Sequence, residues 1–173
     1  MLTLQNHKVQ NHTSASTSIN STKVPAVFRK ADFCKGTVNL DLGGGKYDTA
    51  TEYLKTKGVE NLIYDPYNRS DEHNVKVLGR LALRKADTCT LSNVLNVIDT
   101  GAGILRALDL AEYSLKKGGI CYITVYEGDR SGIGRETKKD CWQNNMKLGD
   151  YYEYVYAVFG NAHILGKMIV AVK

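Results

Sequence analysis

Only two prolines, one tryptophan and three phenylalanines occur in these 173 residues, and the four cysteines, Cys34, Cys89, Cys121 and Cys141, form no C-x-x-C pair. Zinc ribbons and disulfide-stapled secreted folds both need thiols at short regular spacings, so neither fits. The histidines complete no metal-type spacing with them, and no metal is expected. Structural thiols in a reducing, cytoplasmic setting are the reading that remains. Long apolar runs are missing too: nothing approaches the ~20 residues that cross a bilayer, and the N-terminus lacks a secretory apolar core. No membrane role is expected. There is no internal repeat and no separate target-recognition segment, which leaves one domain of ordinary size, residues 24–173, behind a polar tail, residues 1–23.

Acidic residues are scarce in that leader. Residues 1–36 hold Lys8, Lys23, Arg29, Lys30 and Lys35 against Asp32 alone, a balance of +4, whereas the remainder has 18 basic and 17 acidic residues. The basic character is therefore assigned to the leader. Residues 5–23 are rich in Asn, Ser, Thr and Gln and have too few apolar side chains to offset ordering entropy. A mobile tail is expected, either solubilising or gripping nucleic acid through phosphates.

What the chain does have is glycine in one decisive place. Thr37–Leu42 reads as a short strand, Gly43-Gly44-Gly45 ends it, and Tyr47, Ala50, Thr51 and Leu54 recur at the spacing of one helix face. Asp48 or Thr49 is expected to cap that helix and Gly58 to end it. A strand, a glycine turn and a helix bring bare backbone N–H groups up to a ligand. A second apolar strand, Asn61–Tyr64, ends in Asp65, about where a Rossmann-like unit places an acid on a ribose diol. A nucleoside-containing ligand follows. For a dinucleotide, Asp48 stands where the third glycine belongs, and Asp41 puts a carboxylate beside a loop that would have to hold a pyrophosphate. That carboxylate suits a ligand with a cationic end, as S-adenosyl-L-methionine has in its ammonium and sulfonium.

Asp41-Leu42-Gly43-Gly44-Gly45 resembles the first motif of class I S-adenosylmethionine-dependent methyltransferases, and the resemblance continues through Asp65, through Asp87–Ile98 and through Gly118–Val125. It implies an α/β fold: a Rossmann-like, mostly parallel sheet with helices on both faces and a C-terminal antiparallel hairpin. It also implies S-adenosyl-L-methionine as cofactor, with Asp41, Gly43, Gly44, Gly45, Asp65 and Asn93 as its contacts. Ser92-Asn93-Val94-Leu95 fits the family's fourth motif, so Asn93 and Asn96 stand either as contacts or as turn-capping amides. Asp65-Pro66, Val94–Ile98 and a basic stretch leading to Trp142-Gln143 further resemble methyltransferase-like proteins associated with DNA phosphorothioation. Asp65-Pro66-Tyr67 follows the second strand rather than the fourth, so it is not read as the amine clamp of DNA amino-methyltransferases. The absence of a Pro-Cys pair argues against cytosine C5 chemistry.

Further along, Ile104, Leu108, Ala111 and Leu115 form a helix stripe expected to close on Lys116-Lys117-Gly118-Gly119, with the lysines on the helix dipole and glycine at the cap. Ile120–Val125 reads as the next strand. Tyr126 and Glu127 leave its tip as candidates to orient an acceptor or take its proton. Arg130 and Arg135, on a glycine-bearing loop, are candidate phosphate contacts. Trp142 is read either as a base-stacking ring or as core. Tyr151–Phe159 reads as a helix, followed by a hairpin turning near Gly166. Between Asp65 and Asp87 a normal third strand is hard to find; Asn74–Lys85 has helical spacing instead. Two functions are carried forward. One is a methyltransferase with an unassigned acceptor, nucleic acid or nucleotide among the possibilities; the other is a non-catalytic cofactor-binding or partner-subunit protein on the same fold. Sequence leaves the oligomeric state open.

Overall fold

The computed structural model describes residues 22–173. All but two residues of the expected tail therefore lie outside the described residues. Six strands form one sheet in the order β2-β1-β3-β4-β8-β7. They are β1 (Val38–Leu42), β2 (Glu60–Tyr64), β3 (Ala86–Ser92), β4 (Leu115–Thr124), β7 (Ala162–Leu165) and β8 (Met168–Val172). β1 pairs parallel with β2 and β3, and β3 parallel with β4, while β8 runs antiparallel to both β4 and β7. Every residue of β1 is buried, as expected of a parallel strand covered on both faces. The class of fold read from the sequence, C-terminal hairpin included, is the one observed.

Alternation along the strands sorts the two faces. Leu40, Cys89, Leu91, Cys121 and Ile123 point to one side, under α3 (Asp71–Leu83), α4 (Gly101–Ser114) and α5 (Tyr152–Phe159). Tyr122 and Val170 point to the other, under α1 (Ala26–Lys30) and α2 (Thr49–Thr56). The three-helix face is the drier and larger core. Truncating Leu108, fully buried in α4, should cost about 2–5 kcal/mol. Helix starts follow local chemistry: the Ser70 hydroxyl accepts from His73 N (3.2 Å) with Asp71 and Glu72 in the first turn, and Thr100 accepts from Gly103 N (3.1 Å).

Five local expectations need correction. Asp48 occupies the N-cap position of α2, but its carboxylate makes no cap bond and pairs with Arg69 instead. α3 begins at Asp71 rather than Asn74, because Ser70 supplies the cap. Val24–Phe28 reads in sequence as the start of a short helix beside the first strand; the helix forms as α1 but lies across β3 and β4. α4 ends at Ser114, and Leu115 is already extended. Lys116 pairs with Asp87 rather than the helix end, and Gly118, at φ +74°, lies in a bulge where Ala86 opposes Leu115 but Thr88 opposes Ile120. Finally, the basic loop after β4 is partly ordered as a hairpin, β5 (Arg135–Lys138) with β6 (Cys141–Gln143).

Among the described residues no strand lies outside β2, so its outer edge needs other partners. Glu60 and Tyr64 bond toward β1, which turns the Ile63 carbonyl outward, and His73 Nε2 meets it at 2.8 Å. One residue on, Asn74 accepts from Asp65 N and donates to Asp65 O, each at 3.0 Å. Two side chains of α3 thus satisfy backbone groups that an outer strand would have paired. That blunts an otherwise open edge.

Candidate ligand site

Strand order reverses between β1 and β3, and in open α/β sheets ligands bind in the crevice at the carboxyl ends of the strands at such a point. A small cleft lies there, lined by Asp41, Gly43, Gly44 and Ser92 from the sheet and its loops, by Phe28 of α1 and Ala50 of α2, and by Pro25 and Tyr47 just before those helices. Glycine is required at its floor. Gly43 and Gly45 both hold φ +75°. A Cβ on Gly44 would sit 2.3 Å from Asp41 Oδ2, and one on Gly43 would sit 2.6 Å from a Val94 methyl.

Asp41 is the chemical centre. It is 2% exposed, and among the described residues its carboxylate accepts one hydrogen bond, from Thr90 Oγ1 at 3.0 Å. Burial pushes its pKa up to about 7; the Thr90 bond opposes that rise, the nearby Asp65 charge adds to it and Arg69 offsets it. A buried acid with one donor is an unfinished site. Thr90 is itself held by a polar chain across three strands. Asn61 Nδ2 donates to Thr51 Oγ1 (2.9 Å), Asn39 Nδ2 donates to Asn61 Oδ1 (2.7 Å) and to Thr90 Oγ1 (3.1 Å), and Thr88 Oγ1 donates to Asn39 Oδ1 (2.8 Å). This face of the sheet thus spends buried polar groups on fixing one carboxylate.

Asp65 stands 4% exposed at the end of β2 with its carboxylate fully engaged. Oδ2 accepts from Gly45 N (2.9 Å) and Asn68 Nδ2 (3.1 Å), and Oδ1 from Tyr67 N (2.9 Å) and Asn68 N (3.0 Å). Arg69 completes the grip. Nε donates to Gly45 O (2.7 Å), and Nη2 to Tyr47 O (3.1 Å) and Asp48 Oδ1 (2.8 Å). The Gly45 peptide is therefore held by Asp65 at its N–H and by Arg69 at its carbonyl. Asp48, which replaces the third glycine, anchors Arg69. The sequence carries no motif for Arg69 or for the buried Asn74. Thr90 could have been found from strand alternation, since the β1–β3 register sets it opposite Asp41.

The remaining sequence candidates fall into two groups. Asn93 is exposed at the tip of β3 with φ +58°, and its N–H donates to Thr124 O at 2.8 Å. Asn96 is 2% exposed; its Nδ2 donates to Gln143 Oε1 (3.0 Å), and Gln143 Nε2 donates to Tyr126 O (2.9 Å). Two of the quoted motif segments thus meet, as scaffold. Tyr126 is 64% exposed. Glu127 Oε1 accepts from Leu148 N (2.8 Å) and Oε2 pairs with Arg130 Nε (2.7 Å), so the Leu148 N–H and the guanidinium hold its pKa below the usual carboxylate range. Arg135 pairs with Asp129 at 3.5 Å. Trp142 is half-buried against Gly134, where a Cβ would sit 2.5 Å from the indole, and donates Nε1–H to Asn144 Oδ1 at 2.7 Å. All of these but Asn93, which follows the cleft-lining Ser92, border the β5–β6 hairpin rather than the cleft floor. Among the described residues, no group of three His, Cys, Asp or Glu is placed to hold a metal.

No protein-family model matches this sequence, and no curated protein matches it. Solved structures do match. The Burkholderia thailandensis 1,6-didemethyltoxoflavin-N1-methyltransferase, bound to 1,6-didemethyltoxoflavin and S-adenosylhomocysteine, aligns with a TM-score of 0.57 at 16% identity, over 80% of this chain and 72% of that one. A sugar N-methyltransferase from a Streptoalloteichus species aligns with a TM-score of 0.58 at 11% identity, over 86% of this chain and 83% of that one. Human N-acetylserotonin methyltransferase in complex with S-adenosylmethionine aligns with a TM-score of 0.58 at 15% identity, over 86% of this chain but 50% of that one. The fold is that of these methyltransferases. Within that methyltransferase fold, the cleft and Asp41 lie at the switch point described above.

Proposed function

We propose that this chain binds S-adenosyl-L-methionine through the Asp41–Gly45 segment and transfers its methyl group. The observation that carries the reading is the buried, singly hydrogen-bonded Asp41 under a glycine floor that admits no Cβ. When bound, the cofactor supplies an electrophilic methyl on sulfonium. The residues here fit such a ligand, because a cationic ammonium is what an under-satisfied buried carboxylate lacks, and a phosphate would be repelled there. Gly43 and Gly44 let the ligand's main chain lie against the loop. Phe28, Pro25 and Tyr47 close the cleft from above and exclude water. Asp65 reaches the ribose hydroxyls by exchanging its Asn68 Nδ2 bond, the longest of its four at 3.1 Å. Asn93, at the tip of β3, borders the same opening.

Methyl transfer is an in-line displacement, so the protein's part is alignment and desolvation. The acceptor enters between the glycine loop and the β5–β6 wall, with Tyr126 orienting it. Arg130, Arg135 and Trp142 belong to that wall, and Asn96 holds it in place. Glu127, kept acidic by its two partners, serves better as a strut than as a proton acceptor. The structural neighbours named for sugar and 1,6-didemethyltoxoflavin methylation support a small-molecule acceptor over a polymer at this wall. Isothermal titration with S-adenosylmethionine, S-adenosylhomocysteine and NAD tests the cofactor: binding of the first two and not the third is expected, and selective NAD binding would refute it. Methyl transfer to an acceptor panel then tests catalysis. Tight cofactor binding with no transfer to any acceptor would favour the non-catalytic reading.

A further inference from the structure

The amino ends of the parallel strands, opposite the cleft, carry a continuous row of cations. Lys35 precedes β1, Lys57 precedes β2, Arg84 and Lys85 precede β3, Lys116 and Lys117 open β4, and Lys173 follows the antiparallel β8. Contacts show that they are contiguous. The Lys35 stem packs over Gly58, Gly36 N donates to Gly58 O (2.8 Å), and Arg84 Nη2 donates to Gly36 O (3.2 Å). Arg84 and Lys116 share Asp87, Gly118 N donates to Lys173 O (2.8 Å), and Lys85 Nζ donates to Tyr113 O (2.9 Å).

Charge is concentrated here. Among the described residues, these seven cations pair with two acids, Asp87 and Glu112, while Glu60 is matched by Arg80, so these edge side chains sum to +5. Residues 22–173 hold 22 basic and 18 acidic side chains, which leaves everything else in the described domain at −1. The strip crosses five adjacent strands, roughly 19 Å at the usual strand spacing. Two of its lysines lie over tyrosine rings, Lys57 at 4.9 Å from the Tyr53 centroid and Lys85 at 3.6 Å from that of Tyr113, which is 57% exposed.

We infer that this edge binds the sugar–phosphate backbone of a single-stranded nucleic acid. A linear run of exposed and half-exposed ammonium and guanidinium groups neutralises successive phosphates, and the flanking aromatic rings offer faces for bases. A lipid surface would call for an apolar wedge among the cations. Here, among the described residues, Leu83 is the one large aliphatic side chain that stands exposed at the element ends meeting this edge. The inference is independent of the proposed methyl transfer, because it uses the opposite edge of the sheet.

Fluorescence anisotropy of the full chain with a labelled 20-nucleotide single strand, over a salt series, tests it. The wild type should bind with an affinity that falls steeply with salt. The combined Lys35→Gln, Lys57→Gln and Lys117→Gln variant should bind at least tenfold more weakly, with a log–log salt slope flatter by about 2, near 0.7 per cation removed. These three side chains are exposed and make no ion pair among the described residues, so the fold should survive. The Lys76→Gln, Lys167→Gln variant, which removes two exposed cations away from this edge, should bind as the wild type does. Three outcomes overturn the inference: no salt-dependent binding by the wild type, an unchanged slope in the triple variant, or binding to phosphatidylserine vesicles but not to the oligonucleotide.

Discussion

The two edges of one sheet teach opposite lessons about charge. At the carboxyl edge the decisive groups are anions, Asp41 and Asp65, buried to 2% and 4% exposure and held by short, directed hydrogen bonds. At the amino edge they are cations, mostly in water, with two acids among them, Asp87 shared between Arg84 and Lys116 and Glu112 beside Lys173. A buried charge is expensive unless completed, so the first edge suits the one small cation proposed for it. A solvated row of charges costs little and fixes no geometry, so the second suits a repeating polyanion. Net charge alone, near zero beyond residue 36, hides both.

The largest effect expected is at the floor of the cleft. Gly44→Ala pushes a methyl into the Asp41 carboxylate, 2.3 Å from Oδ2, and should abolish measurable S-adenosylmethionine binding by calorimetry while leaving oligonucleotide anisotropy unchanged. Loss at both edges would show a collapsed fold rather than two separate sites. Next comes Asp65→Ala. It removes the acceptor of three backbone N–H groups and the proposed ribose contact, so cofactor affinity should fall at least tenfold, with charge-assisted bonds worth about 1.5–3 kcal/mol each. Wild-type affinity in a folded Asp65→Ala protein would remove Asp65 from the site.

Arg69→Met should have a smaller effect, a few-fold in affinity, with a signature of its own. Amide hydrogen exchange at residues 45–48 should quicken in the ligand-free protein, because Gly45 O and Tyr47 O lose their donor. The Asp41 titration should move upward, because the offsetting cation is gone. Arg69→Lys should restore the titration but not the exchange protection, since a point charge cannot reproduce the fork. Unchanged exchange in Arg69→Met would show that the loop holds itself.

Much of this was legible in the residues. The glycine turn after β1, Asp65 after β2, the strand before Asn93 and the hairpin at Gly166 all rest on local signals: a run of small residues, an apolar stretch, a turn residue. What was not legible depends on contacts across the sheet. Asp65 looks the same in sequence whether its oxygens face a ribose or four internal donors. His73 and Asn74 give no hint that they stand in for an outer strand, and Lys116 reads as a helix-dipole residue until the bulge sets it beside Asp87. The basic strip is invisible along the chain, because its members come from five separate strand ends and only the topology assembles them.

Stability should follow Asp41 in the opposite sense to binding. Its folded pKa of about 7 lies above the ordinary 3.8, so the folded state holds more protons between those values and stability falls as pH rises from about 4 to 7, then levels. Asp41→Asn removes that penalty and should raise the melting temperature at pH 8, by roughly 4–8 °C if about 2 kcal/mol is recovered. No gain would mean that the carboxylate is already completed in the free protein.

The central claim is that a buried, under-satisfied Asp41 carboxylate is the cation-binding heart of the cleft, and calorimetric titration of S-adenosylmethionine across pH 5.5–8.5 tests it most directly. The cofactor should bind best above pH 7, lose close to tenfold per pH unit below it, and release a proton on binding in the acid range, as a carboxylate near 7 demands when a cation takes the proton's place. Asp41→Asn should bind far more weakly and with no such pH dependence. Tight, pH-independent binding by the wild type, or retained affinity in Asp41→Asn, would contradict the account.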